Sequence, residues 1–431
     1  MHTTTPWTRR QTLKAAAAAA TLVGTGRLWA AAKTLNILSH RVHQTCLTQG
    51  PAGDLLGAWR KAQDAEAAWT TFDSNPLQDR LFREASLGST DFGVGYLVNS
   101  RATPSAAKLL LPLDDYLAKS PIEAFDDIAP GMVAGMRFDG KLASVPVRHA
   151  TAALFYNEAL LEERGIKAPP KSLEELVDQC KRCTFTSAAG TQVTGMILAS
   201  DLSEFPVTFA RAYGGDFIGP DLKLLPEPAA MEKALATLQD MFKAGALPRS
   251  YATTKNDDQV TWMQQGRAAF TVITFARNAQ LNKTGESKYP GRIKAIAFPG
   301  SEALIKSNVP MASVTAVWGM SILANAKDKD LAWSYIREVS SKAVTTGAAR
   351  NGNGPVRAST YADPTFSNDQ PFAAIEAEAL RHARVPLPAF PEAARAQTVF
   401  LEEVQLCVIG QKTPKAAIEA IRERCTPLVK A

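Results

Sequence analysis

Apolar runs of strand length alternate with segments of helical periodicity along this chain, and that alternation narrows the possible folds more than any other feature. Leu35–Ser39, Ala67–Phe72 and Asp91–Val94 read as strands, with helices expected over about 53–65 and from Pro76 to about Ser86. Lys141–Pro146, Ala153–Asn157, Thr194–Ala199, Ala269–Ile273, Ile293–Ala297 and Val317–Leu323 continue the strand series. Met231, Leu235, Leu238 and Phe242 recur at helical spacing, as do Leu331, Tyr335 and Val339, and the chain after Phe366 reads as mostly helical. Such alternation implies βαβ units, a parallel sheet and an α/β fold. In sheets of this kind ligands bind beyond the carboxyl ends of the strands, which puts His40–His43 and Tyr96–Asn99 on the functional edge. The segments are too many for one lobe, and no Gly-, Pro- or Ser-rich linker divides them. A chain passing back and forth between two α/β lobes fits the pattern.

The first 32 residues are read as a targeting segment. Arg9 and Arg10, followed by Leu13 and Lys14, precede an apolar run from Ala15 to Gly24, and Ala30-Ala31-Ala32 closes it. This is a charged region, a short apolar stretch and a small-residue cleavage site. The run is about half of the roughly 20 residues that span a bilayer. The paired arginines point to the twin-arginine (Tat) route, with an ordinary Sec signal as the alternative. The mature chain is then expected to start near Lys33 and to reside in the periplasm. Removing Arg9, Arg10, Lys14 and Arg27 lowers the formal charge from +6 to +2, so the charge gives little support to nucleic-acid or membrane binding.

Five cysteines leave at least one unpaired in an oxidising compartment. Cys180 and Cys183 end a helix expected from Ser172, where Ser172 and Glu175 form a capping box. The pair lies on one helix face and is read as structural, whether bridged or not. Cys407 and Cys425 are a second candidate pair. His40-x-x-His43-x-x-Cys46 has metal-ligand residue types, but one short loop carries it. The histidines are therefore read as hydrogen-bonding groups facing a cleft, and no metal or cofactor is expected. No G-x-S-x-G, H-E-x-x-H or P-loop is present, and Gly93-Val94-Gly95 lacks a third glycine at Val98. The chain is accordingly not read as an enzyme, a Tat-exported enzyme being the alternative.

Several ordered landmarks resemble one family. They are Gly140-Lys141-Leu142 through Val145-Pro146-Val147, Leu154-Phe155-Tyr156-Asn157, Ala168-Pro169-Pro170 with Ser172-Leu173-Glu174-Glu175-Leu176, Met263 to Phe270, Ala316 to Ile322, Asp330 to Ile336, and Gly352-Asn353-Gly354-Pro355-Val356-Arg357. In this order and spacing the sequence resembles the extracellular solute-binding proteins, family 1, receptors of ABC importers that include binders of maltodextrins and other sugars. The resemblance implies a two-lobe clamshell with three hinge crossings, near 148–152, 267–272 and 315–320. Lobe one would hold 33–148 plus 271–316, and lobe two 151–268 plus 319–431. The implied protein is a monomer that captures a small-molecule solute, a carbohydrate or polyol, and delivers it to ABC permease subunits. A sensor subunit built on the same clamshell stays open as an alternative.

A sugar cleft needs aromatic platforms and polar groups. By the resemblance, Trp318 sits at a crossing, and Phe275 and Phe390 lie near segments that carry ligand aromatics in maltodextrin binders. Tyr96 is added from its place after the third strand. Where those binders carry a cleft carboxylate the landmarks align Ala150, with Arg148 and His149 beside it. His40, Arg41, His43, Arg148, His149, Arg277 and Arg357 make an anionic ligand (a sugar acid, a phosphorylated polyol or a carboxylate) the rival reading.

Overall fold

The computed structural model describes residues 32–429. Apart from Ala32, the targeting segment read over 1–32 lies outside them. Among the described residues, no helix is long and apolar enough to cross a membrane.

Twelve strands are seen among the described residues: β1 (Lys33–His40), β2 (Ala65–Phe72), β3 (Phe92–Val98), β4 (Arg137–Phe138), β5 (Lys141–Leu142), β6 (Val145–His149), β7 (Ala152–Asn157), β8 (Phe185–Thr186), β9 (Gln192–Ile197), β10 (Ala268–Thr274), β11 (Ile293–Ile296) and β12 (Val317–Ile322). They form two five-stranded sheets, ordered β2-β1-β3-β12-β6 and β11-β7-β10-β9-β8, plus the β4-β5 ribbon. In the first sheet β1 runs parallel to β2 and β3, and β12 lies antiparallel between β3 and β6. In the second, β10 is parallel to β9 and antiparallel to β7.

Each sheet organises a lobe. Leu35, Ile37, Leu38, Val94, Leu97, Met320 and Ile322 share one core with Trp59, Leu77, Leu81, Trp333, Tyr335 and Ile336 from the covering helices. In the helix Ser74–Ala85, Leu77, Leu81 and Ala85 recur every four residues and face the sheet. Beside them, buried Gln78 donates to the Tyr96 carbonyl at 3.1 Å and accepts from the Val98 amide at 3.2 Å. Along β7, Ala152 and Leu154 pack into one core while Ala153 and Phe155 pack into another. That alternation is the period of two of a sheet covered on both faces. The long helices Pro228–Lys243, Ala393–Val408 and Pro414–Val429 supply the first of these cores.

Sheet membership corrects the expected lobe boundaries. β10 is hydrogen-bonded on both sides, to β7 and β9, so the chain does not leave the second lobe at 267–272. β11 stays there too, on the far side of β7. β12 and the helix Lys329–Val339 belong to the first lobe. The segment 271–313 therefore goes with the second lobe and 317–356 with the first, the reverse of the expectation. Crossings do occur at 150–151 and 314–316. The third lies after Arg357, which bridges Ile128 of the first lobe, and before Phe372, which stacks on Phe275 of the second with ring centroids 5.4 Å apart.

The capping expectation at Ser172 holds. Its side chain accepts from the Glu175 amide at 3.2 Å, and Glu175 reaches back to the Lys171 amide at 2.8 Å. The disulfide expectations do not. Cys46, Cys180, Cys183, Cys407 and Cys425 are all buried free thiols.

Candidate functional site

Both sheets turn the same kind of edge toward the crossings. β1, β2 and β3 end at His40, Phe72 and Val98, and the register continues across the sheet from Val98 to Trp318 to Arg148. Directly paired residues share a face, so Trp318 and Arg148 stand side by side at the hinge. In the second lobe Ala152 of β7 pairs with Thr274, the last residue of β10, and the chain turns there through Phe275-Ala276-Arg277. The Phe275 amide donates to the Thr151 carbonyl at 3.1 Å, which fixes this turn against the first crossing.

The His40–Cys46 segment is not the expected loop. A helix, Arg41–Thr48, begins at once because His40 caps it, its Nδ1 accepting from the Val42 amide at 3.2 Å. Histidine is not among the favoured capping residues, so the helix start carried no usual signal. Arg41 is exposed on the first turn, whereas His43 and Cys46, three apart, face inward. His43 stacks on Tyr96 at 4.4 Å and meets Trp318 edge-on at 5.1 Å. Its Nδ1 shares a 3.0 Å hydrogen bond with Ser39, its Nε2 has no partner among the described residues, and the side chain lines a cavity of about 10 Å³. His40, half-buried, lies 6.3 Å from the Trp318 ring. Burial first, then the charges of Arg148 and Arg277, push the His40 imidazole down to about 4. It is neutral at ordinary pH, and with Nδ1 accepting from Val42 its remaining Nε2–H is a donor.

Five expected site residues have other work. Tyr96 is fully buried because β3 runs through Val98, four residues beyond the expected end, and its hydroxyl shares a 3.0 Å bond with Tyr335. Phe275 packs on Phe372 in the second-lobe core, and Phe390 packs in the core beneath Ala393 and Phe400. Arg357 is 1% exposed and donates to the carbonyls of Glu123, Ala124 and Ser340, with Asp127 at 3.4 Å. It clamps the first lobe. His149 pins the hinge: its ring shares a 2.8 Å bond with Tyr361 and a 2.9 Å bond with Thr151, which also bonds Thr315 at 2.9 Å. That network joins all three crossings. Glu376 stands 3.9 Å from His149, within ion-pair range. Burial nevertheless pushes the carboxyl up to about 8 and the imidazole down to about 3, so the two meet as neutral groups at neutral pH.

His40, Trp318 and Arg148 are thus brought together at the hinge edge of the first lobe, with Arg277 at the facing turn of the second. A cavity of about 510 Å³ opens elsewhere, between Leu55, Gly347, Arg350 and Asp363, and none of the expected site residues lines it.

The sequence matches the family model described as bacterial extracellular solute-binding protein over residues 53–346. Among solved structures, maltose-bound MalE3 of T. maritima superposes with a TM-score of 0.79 at 20% identity, covering 92% of this chain and 100% of that one. The GacH receptor of Streptomyces glaucescens, solved unliganded and with acarbose, gives 0.79 at 20% over 93% and 99%. A solute-binding protein from Agrobacterium vitis with bound D-mannitol gives 0.77 at 19% over 93% and 99%. These likenesses establish the two-lobe fold, and with the family match over more than half its length the chain belongs to the bacterial extracellular solute-binding proteins.

Proposed function

We propose that this protein is a periplasmic receptor that binds a small carbohydrate or polyol between its lobes and presents it to an ABC importer without altering it. The reading is carried by the convergence of both sheets' ligand-binding edges on the covalent crossings, with the Trp318 indole beside His40 and Arg148. An indole flanked by hydrogen-bonding groups suits a polyhydroxylated guest, whose apolar faces stack while its hydroxyls are bonded. The sugar and polyol ligands named for the structural neighbours support the same class. The paired arginines of the leader support export, and the cleaved chain acts as a monomer. Ligand affinity for the closed state drives lobe closure, and the importer recognises that state.

Native mass spectrometry of the protein as purified, followed by thermal shift against sugars and polyols, tests the proposal. One retained small solute, or a melting temperature raised by one compound recovered unchanged, is the expected result. A compound recovered chemically converted, or no response to any sugar or polyol, overturns it.

A further inference from the structure

Among the described residues three arginines are buried, and the fold treats them unequally. Arg211 is bound by both oxygens of Asp216, at 3.0 and 3.3 Å, and donates to the carbonyls of Ser313, Arg384 and Val385. Arg357 has three carbonyls and Asp127. Arg148 is only 4% exposed, yet its single protein acceptor among the described residues is Asn353 Oδ1 at 3.2 Å, and no carboxylate there lies within 4 Å. The Cys46 thiol also lies beside it and is a poor counter-charge. A buried cation without a counter-charge is costly, and the same molecule avoids that cost at its other two buried arginines.

The surroundings add positive charge. Arg277 stands on the turn held to Thr151, so the two arginines bracket the first crossing from opposite lobes. Arg277 bonds Gln280 at 2.6 Å, and its only carboxylate contact among the described residues is Asp257 at 3.4 Å, which is 85% exposed. Arg277 itself is 17% exposed, and so strongly solvated a carboxylate at that distance neutralises it only in part. The carboxyl facing Arg148 from the second lobe's side, Glu376, is buried and pushed up to about 8, so it is mostly uncharged at neutral pH.

We infer that the cleft is built for a carbohydrate bearing an anionic group, carboxylate or phosphate, seated between Arg148 of the first lobe and Arg277 of the second. The inference rests on the carbohydrate reading above and narrows it. Guanidinium forks match planar carboxylates and phosphates. An anion touching one arginine from each lobe is bound best when the lobes are closed, so the same contacts supply both selectivity and the closing force.

Thermal shift on the mature chain with matched sets tests this: glucose, glucuronate and glucose 6-phosphate; galactose and galacturonate; mannitol and mannonate. An acid or phosphate is expected to raise the melting temperature more than its neutral parent. The glucuronate and glucose 6-phosphate arms separate carboxylate from phosphate. Calorimetry then compares wild type with Arg148→Gln and Arg277→Gln. Each variant is expected to lose at least tenfold affinity for the preferred anion, and at least fivefold more than it loses for the neutral parent. If Arg148→Gln does not fold, Arg277→Gln on its more exposed side chain decides. Response to neutral members alone, or equal losses for acid and parent, overturns the inference and leaves the carbohydrate reading standing. Response to no member overturns both.

Discussion

At the scale of single residues, the hinge edge depends on groups whose burial sets their chemistry. Trp318 is 7% exposed and wedged between His40, His43 and Arg148. Trp318→Ala is expected to weaken solute binding by about 1–2 kcal/mol, the range for a lost stacking aromatic. Unchanged calorimetric affinity would remove the indole from the site. The histidines make a separate prediction. Burial holds His40, His43 and His149 below their ordinary value of 6.5, to about 4 for His40 and about 3 for His149. The unfolded chain then binds more protons than the folded one as pH falls below 6.5, so their contribution is whole above that pH and is lost toward pH 4 and below. Glu376 works in the opposite sense. Its carboxyl is raised from 4.5 to about 8, so its contribution is whole below 4.5 and fades as pH rises toward 8. Glu376→Gln keeps the size of the side chain but cannot ionise. It is expected to flatten the decline in stability between pH 5 and 8, by at most about 1.4 kcal/mol per pH unit. Denaturant melts of both proteins at pH 5, 6.5 and 8 check it, and parallel curves would show that Glu376 does not titrate in this range.

At the scale of elements, the Arg211–Asp216 pair ties the second lobe to the chain entering the hinge, since Arg211 also holds the carbonyls of Ser313, Arg384 and Val385. Asp216→Ala leaves that guanidinium buried without its carboxylate and is expected to cost about 3–5 kcal/mol in denaturant unfolding. A cost below about 1 kcal/mol would mean that the carbonyls alone satisfy it. Elements of this kind were only partly legible in the sequence. Most strands of both sheets, though not β8, and the helix capped by Ser172 appear as apolar runs and a capping pair, because local burial and capping leave local marks. The helix after His40 was hidden because an imidazole does the capping. Tyr96 was misplaced because Gly95 and Tyr96 do not read as the middle of a strand, although Leu81 packs where a Gly95 side chain would project, at 2.2 Å from its Cβ position. The lobe boundaries were inverted because apolar periodicity marks a strand without naming its partners. β10 sits between β7 and β9 through long-range pairings that no local pattern records. Arg148 was legible as a cation near a crossing. Its shortage of partners, which distinguishes it from Arg211 and Arg357, exists only in three dimensions.

At the scale of the whole molecule, the proposed function requires the lobes to move about a hinge that stays intact. The first two crossings run as a short ladder, the Ala150 amide donating to Ala316 and the Ala152 amide to Val314, both at 2.8 Å. The third is bound to them by the His149–Tyr361 bond, and the segment leading into it by the His149 amide donating to the Gly354 carbonyl at 3.1 Å. Gly354 is close to the backbone there, for a Cβ at that position would stand 2.0 Å from the His149 carbonyl oxygen. Rotation about such a ladder turns the lobes as bodies, since each has its own packed core. Small-angle scattering is therefore expected to show a smaller radius of gyration once a solute binds, with each lobe's secondary structure unchanged by circular dichroism. Gly354→Val forces the segment that leads into the third crossing away from the first crossing. It is expected to blunt that contraction and weaken binding by at least tenfold while leaving far-ultraviolet spectra as they are. Contraction identical to wild type would show that the third crossing takes no part in setting the hinge, and a solute that binds without any contraction in either protein would remove lobe closure from the mechanism.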